Sequence, residues 1–238
     1  MNGLNDLKIK IYADGADLQS FIKLNSKNFI KGFTTNPSLM KKNGIKNYKS
    51  FAKELLNKIK DKPISFEVFE DDLLGMERQA NEIASWGKNL YVKIPITNTK
   101  GESTHKLVHK LTRNGISCNV TAIFTIKQVE LITDAIENTT PAILSLFAGR
   151  IADTGIDPLP LMKESIKYTT DKKNIEILWA STREAYNYIQ ARQLNCNIIT
   201  MPPKVINQIS GFGKSFNAMT IETVRGFLKD SRKSKFKI

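Results

Sequence analysis

NLYVKIPIT, residues 89–97, is an extended apolar stretch with a lysine at its centre. Tyr91, Val92, Ile94 and Ile96 read as a buried strand, and Lys93 interrupts them. A buried ammonium loses its hydration and needs compensation. A lysine near a strand end can instead snorkel to water. The two readings separate only once the fold around the strand is known.

Short β-type runs of the same kind recur along the chain: IKIYAD (9–14), GFTTN (32–36), ISFEVF (64–69), LYVKIP (90–95), CNVTAIF (118–124), AILSLFAG (142–149), EILWAS (176–181) and NIITMP (197–202). Segments of helical periodicity lie between them, among them YKSFAKELLNKI, GMERQANEIASW and IKQVELITDAIEN. Strands alternating with helices predict a parallel sheet with helical crossovers. Eight such units in 238 residues fit an α/β fold of the (β/α)8 TIM-barrel type, typically about 250 residues. A doubly wound open sheet is the competitor, but the first strand lacks a G-x-G-x-x-G turn. No linker or close repeat divides the chain, so one domain is expected over 1–238. Residues 215–238 form an additional C-terminal helical tail.

Composition is that of a soluble globular protein, with 41% hydrophobic and 25% charged residues. No apolar run reaches the roughly 18 residues of a membrane span. The first residues lack a signal-peptide core. The expectation is a cytoplasmic protein with no membrane partner. The net charge of +13 is compatible with solvated helix faces, with attraction of anionic metabolites, or with nucleic acid. The basic runs lack interleaved aromatic stacking platforms, so no nucleic-acid partner is expected. Cys118 and Cys196 make no disulfide framework. His105 and His109 stand at i,i+4 on a helical stretch without a third ligand nearby, so no metal site is assigned.

A barrel of this kind carries its active site at the C-terminal ends of its strands, and polar residues collect there. Strand one ends with Asp14 and strand two with Asn36. Strand three carries Glu67, strand four Lys93, strand five Asn119 and Thr121, and strand six Ser145. Strand seven ends with Ser181, followed by Arg183. The strand run to 149 also puts Phe147 on the face of Ser145. Desolvation favours the neutral form of a buried lysine, and a free amine can attack a ketone to form a Schiff base. Such chemistry needs a proton shuttle, for which Glu67 and Thr121 are candidates through a water, and a separate base, for which Asp14 is the candidate. Asn36 and Asn119 can hold hydroxyls. Arg150, in AGR after strand six, and Ser181 with Arg183, in STRE opening the next helix, suit a phosphate.

The motifs GFTTNPS (32–38), VKIP (92–95), GISCNVTAIFT (115–125), LFAGRIAD (146–153) and WASTRE (179–184) run nearly end to end. Through them the chain resembles the short transaldolases of the transaldolase/fructose-6-phosphate aldolase family. The resemblance implies Lys93 as the Schiff-base lysine, Asp14 as the base for the C4 hydroxyl, and Glu67 with Thr121 on the catalytic water. It implies that Asn36, Asn119 and Ser145 position a dihydroxyacetone unit. Arg150, Ser181 and Arg183 would take the phosphate of sugar phosphates. Neither metal nor organic cofactor is implied. Glu67, Ser145 and Phe147 resemble the transaldolase branch, whereas aldolase-like members tend to have glutamine, alanine and tyrosine there. Gly15, Leu146 and Thr182 depart from the residues common in the family and bear on substrate identity. A paralogue acting on another sugar phosphate, or an aldolase, is the alternative. In the tail, Met219, Ile221, Val224, Phe227 and Leu228 form a partial apolar stripe. Short family members resemble this in using a C-terminal helix between subunits, which implies a pentameric or decameric homo-oligomer. A helix covering its own barrel floor is the alternative.

Overall fold

The computed structural model describes residues 9–234. Residues 1–8, where the signal-peptide reading falls, and 235–238, the end of the expected tail, lie outside the described residues. Eight parallel strands close into a barrel in sequence order. They are β1 Lys10–Asp14, β2 Ile30–Thr34, β3 Ile64–Glu67, β4 Leu90–Pro95, β5 Cys118–Ile123, β6 Ala142–Leu146, β7 Ile175–Trp179 and β8 Ile198–Met201. Between and after them run α1 Leu18–Asn25, α2 Pro37–Lys42, α3 Tyr48–Lys58, α4 Leu73–Ala84, α5 His105–Arg113, α6 Ile126–Ala135, α7 Ala148–Ala152, α8 Leu159–Tyr168, α9 Tyr186–Gln193, α10 Pro203–Ile209 and α11 Phe216–Ser234. The fold is the (β/α)8 barrel with an additional C-terminal helix.

Strand parity explains why the strands are apolar throughout yet carry polar groups. Alternate residues point to opposite faces. Ile11, Ala13, Phe33, Phe66, Val92, Ile94, Val120, Leu144, Ile177, Trp179 and Ile199 belong to the large buried core that includes the helices. The other parity faces the barrel axis. There Tyr12, Ile143, Leu178, Ala180 and Ile198 pack as a separate cluster, with Tyr91 and Phe147 against it. Tyr12 crosses to Gly32, where an added Cβ would stand 2.5 Å from the phenol ring. Only a residue without a side chain leaves room for that ring. The axis is thus filled at this level. Two residues further along the same parity stand Asp14, Lys93, Ser145 and Thr200.

Local signals start the helices on cue. Asp17 accepts from Ser20 N at 2.7 Å and Asp72 from Gly75 N at 2.8 Å. Thr125 and Gln128 form a reciprocal capping box at α6.

Several strand ends differ from the expectation. β2 stops at Thr34, and Asn36 is instead the N-cap of α2, accepting from Leu39 N at 3.0 Å ahead of Pro37. β6 stops at Leu146, so Phe147 is the cap before α7 rather than a strand residue. β7 stops at Trp179. Ser181 has φ of 64°, a left-handed conformation that takes the chain out of the sheet. Arg183 lies in the loop before α9 rather than in its first turn, with its backbone N–H donated to Asn187 Oδ1 at 3.0 Å. α11 exists as expected, but it buries none of its residues. Met219, Ile221, Val224, Phe227 and Leu228 are each about half exposed or more, so the stripe does not cover the barrel floor.

Candidate active site

A cavity of about 600 Å³ opens at the C-terminal ends of the strands, within the roughly 300–1,000 Å³ range of small-molecule sites. Asp14, Asn36, Glu67, Lys93, Thr121, Ser145, Phe147, Arg150, Ser181 and Arg183 all line it. Among the sequence-derived candidates Asn119 alone is not part of that lining. It is fully buried one layer down.

Lys93 sits at the base of the cavity and is 7% exposed, so it does not snorkel. Its Nζ donates to the Thr35 carbonyl at 3.0 Å and lies 3.4 Å from a Glu67 carboxylate oxygen. Glu67 and Lys93 are register partners on β3 and β4, as Lys93 and Asn119 are on β4 and β5. Tyr48 on α3 donates its hydroxyl to the Glu67 carbonyl at 3.0 Å, which holds the end of β3.

Asp14 ends β1 at the cavity wall. Burial pushes its carboxyl above the ordinary carboxylate value. Nearby Lys93 and a hydrogen bond from Thr34 pull it the other way, and Glu67 adds to the rise. Thr34 Oγ1 donates to Asp14 Oδ1 at 2.7 Å and meets Thr200 Oγ1 at 2.6 Å.

A second network lies behind the lysine. Ser145 donates to Asn119 Oδ1 at 2.7 Å, and Asn119 Nδ2 donates to Ser65 Oγ at 3.0 Å. With its proton engaged, the Ser145 oxygen faces the cavity as an acceptor. Thr121 Oγ1 is buried with no hydrogen-bond partner among the described residues. The strand bends directly after it. Ala122 has φ of 59°, and the register with β6 shifts between Val120 and Ile123. That conformation is unfavourable for alanine by about 1–2 kcal/mol.

The basic side of the cavity is built by α7 and the loop after β7. Gly149 brings the two together, since a Cβ there would stand 1.7 Å from the Ser181 carbonyl oxygen. Arg150 stacks its guanidinium 5.0 Å from the Phe147 ring centroid. Arg183 donates its Nε to Asp153 Oδ1 at 3.0 Å and its Nη2 to the same carboxylate. Both arginines are exposed at the cavity rim.

Other chemistries find little support. Burial pushes the Cys118 and Cys196 thiols up to about 12, so neither is a thiolate at neutral pH. His105 and His109 are engaged separately, by Ser103 Oγ and by the Ala135 carbonyl. A smaller hollow of about 490 Å³ at the opposite barrel end holds the Lys10–Glu176 ion pair.

Sequence reasoning missed Thr34, Thr200, Ser65 and Asp153. Threonine and serine are ordinary strand residues, and their roles become visible only through cross-strand partners.

A filled barrel axis beneath a polar, lysine-bearing mouth is the arrangement of a (β/α)8 enzyme. The family model described as Transaldolase/Fructose-6-phosphate aldolase matches residues 11–238, and the chain belongs to that family of transaldolase-type enzymes. It is 34% identical over 231 residues to a "Probable transaldolase" of Thermoanaerobacter sp. (strain X514), covering 97% of this chain and all of that one. A "Probable transaldolase" of Roseiflexus castenholzii is 35% identical over 201 residues, 84% of this chain and 88% of that one. Among solved structures, KGPDC from Streptococcus mutans superposes with a TM-score of 0.54 at 13% identity. That match covers 82% of this chain and 88% of that one, a likeness of fold alone.

Proposed function

We propose that the protein transfers a dihydroxyacetone unit from a ketose phosphate to an aldose phosphate through a Schiff base at Lys93, without metal, as in the non-oxidative pentose phosphate pathway. The buried amine at the cavity base, 3.4 Å from Glu67, carries this reading. The Lys93 amine attacks the C2 ketone, and the carbinolamine loses water to give a protonated imine. Glu67 and the unpartnered Thr121 hydroxyl hold the water that shuttles those protons. Asp14 takes the C4 hydroxyl proton, the C3–C4 bond breaks, and its electrons enter the imine to leave an enamine on Lys93. The enamine then adds to the acceptor aldehyde, and hydrolysis frees the product ketose and the amine.

The remaining candidates position substrate. Asn36 spends its carbonyl on the α2 cap and keeps its amide protons for a substrate hydroxyl. Ser145 accepts one, fixed from behind by Asn119. Arg150, Arg183 and Ser181 receive the phosphate. Phe147 brings a ring without a hydroxyl to the cavity wall, so it cannot order a water to quench the enamine, which favours transfer over release. The same reading treats the chain as one barrel domain with a tail. It also assigns the exposed stripe of α11 to contacts between copies, in a pentamer or decamer.

Borohydride reduction in the presence of fructose 6-phosphate should attach one dihydroxyacetone-derived adduct to Lys93, in EDTA as without it. Lys93→Arg should show neither adduct nor turnover. An adduct on another lysine, or none with any ketose phosphate, would sink the mechanism. Erythrose 4-phosphate should raise turnover of fructose 6-phosphate at least roughly tenfold, about 1.4 kcal/mol in barrier. Release of free dihydroxyacetone at the same rate without an acceptor would mark the enzyme as an aldolase instead.

A further inference from the structure

Thr200 on β8 lines the cavity and brings its Oγ1 to 2.6 Å from Thr34 Oγ1. Distance alone leaves open which of the two donates. With Asp14 ionised, as a base must be, the count of protons settles it. Thr34 has one hydroxyl proton, and that proton is directed at Asp14 Oδ1, 2.7 Å away. The proton between the two threonines therefore belongs to Thr200.

We infer that Thr200 is a positioning residue for Asp14, the first donor in a hydrogen-bond chain that runs Thr200 to Thr34 to Asp14 across β8, β2 and β1. The inference rests on the reading of Asp14 as the base. A hydroxyl that accepts one hydrogen bond becomes a stronger donor in the next. A donor aimed at a carboxylate favours its ionised form, which a base requires. The chain also pins Oδ1 and leaves Oδ2 for the substrate hydroxyl. The charged groups that bear on Asp14 are Lys93 on β4 and Glu67 on β3, and neither touches Thr200's hydroxyl. A purely structural role would run through the Thr200 backbone, whose carbonyl accepts from Thr182 Oγ1 at 2.7 Å. Replacing the side chain leaves that bond in place.

The test compares Thr200→Val, Thr200→Ala and Thr200→Ser with the wild type in pH profiles of kcat on fructose 6-phosphate and erythrose 4-phosphate. Valine keeps shape and β-branching, alanine relieves any crowding if valine fails to fold, and serine restores the hydroxyl. The valine and alanine variants should lose about three- to tenfold in kcat. Their acid limb should move up by roughly half a pH unit, with KM within about twofold. Serine should return the limb to its wild-type position. An unmoved limb in the hydroxyl-less variants, or a serine variant that behaves like alanine, would overturn the role of Thr200. Borohydride labelling of Lys93 should persist in every variant. Its absence in the wild type would instead overturn the Schiff-base reading.

Discussion

Glu67 and Lys93 stand opposite each other in the register of β3 and β4, and their charged ends meet at 3.4 Å with the side chains 18% and 9% exposed. Register partners on parallel strands share a face, so the backbone itself sets this pair. Surface pairs such as Lys49–Glu82, with both side chains about half exposed, depend on flexible stems and contribute about 0–1 kcal/mol. Glu67→Gln keeps a polar group near the amine but removes the charge and, with it, the proposed proton shuttle. Turnover should fall by about 10²–10⁴, and urea unfolding should show a loss of about 1–3 kcal/mol. Turnover within about threefold of wild type would exclude Glu67 from the chemistry.

Asp14 links stability to pH in the opposite sense to an ordinary salt-bridged carboxylate. Its carboxyl is raised in the folded protein, chiefly by burial, so the folded state binds this proton more tightly than the unfolded one. The penalty for holding the ionised form is absent below the unfolded pKa. It grows as pH rises and is complete above the folded pKa. Asp14→Asn should therefore melt at a higher temperature than wild type near neutrality, with the gap closing on acidification. The same variant should lack turnover. A lower melting temperature at neutral pH would mean that the pull of Lys93 and Thr34 outweighs burial.

Gly149 allows α7 to approach the loop after β7. Gly149→Ala would force a Cβ to 1.7 Å from the Ser181 carbonyl oxygen, a backbone atom that cannot rotate away. The loop carrying Ser181 and Arg183 must shift, at about 1–3 kcal/mol. KM for fructose 6-phosphate should rise at least roughly tenfold, while unphosphorylated dihydroxyacetone should still be trapped on Lys93. An unchanged KM would place the phosphate elsewhere.

Much of the barrel could be read from the chain because most strands are buried on both faces. Runs such as AILSL and IEILW need no alternation, and several of the helices between them start on side-chain caps, Asp17, Asp72 and Thr125 among them. The polar ring was legible for the same reason, since Asp14, Glu67, Lys93 and Ser145 are conspicuous in apolar strands. What resisted reading lies where the chain leaves the sheet. Ser181 turns through a left-handed conformation, and Phe147 steps out as a cap. Asn36 is spent partly on a helix start. The first two are backbone events set by the neighbouring loop rather than by local propensity, whereas Asn36 ahead of Pro37 is an ordinary helix start whose signal the strand reading overrode. The threonine network was hidden for another reason: Thr34 and Thr200 are 166 residues apart and meet only when β8 closes the barrel.

The tail offers a separate test. Phe216, at 85% exposed, and Phe227, at 69%, head the apolar side chains that α11 leaves in solvent. Truncation of residues 215–238 should leave a folded barrel, because the helix buries none of its residues. Light scattering should then show the proposed oligomer weakened or lost. A full-length protein that is a stable monomer at micromolar concentration would remove α11 from any subunit contact.

The ring of Tyr12, seated over Gly32 and walled by Ile143, Leu178 and Ile198, acts as a stopper in the barrel axis. Everything that reaches Lys93 from the mouth must leave by the same door. Under the proposed transfer through Lys93, with a three-carbon fragment held on the lysine, the departing aldose phosphate and the incoming one would compete for one vestibule and one pair of arginines. The first would have to vacate before the second could enter, so the two half-reactions should alternate rather than overlap. Rates plotted reciprocally at several acceptor concentrations should then run as parallel lines, and intersecting lines would refute that order. A single plugged end would turn a two-substrate exchange into a strict taking of turns.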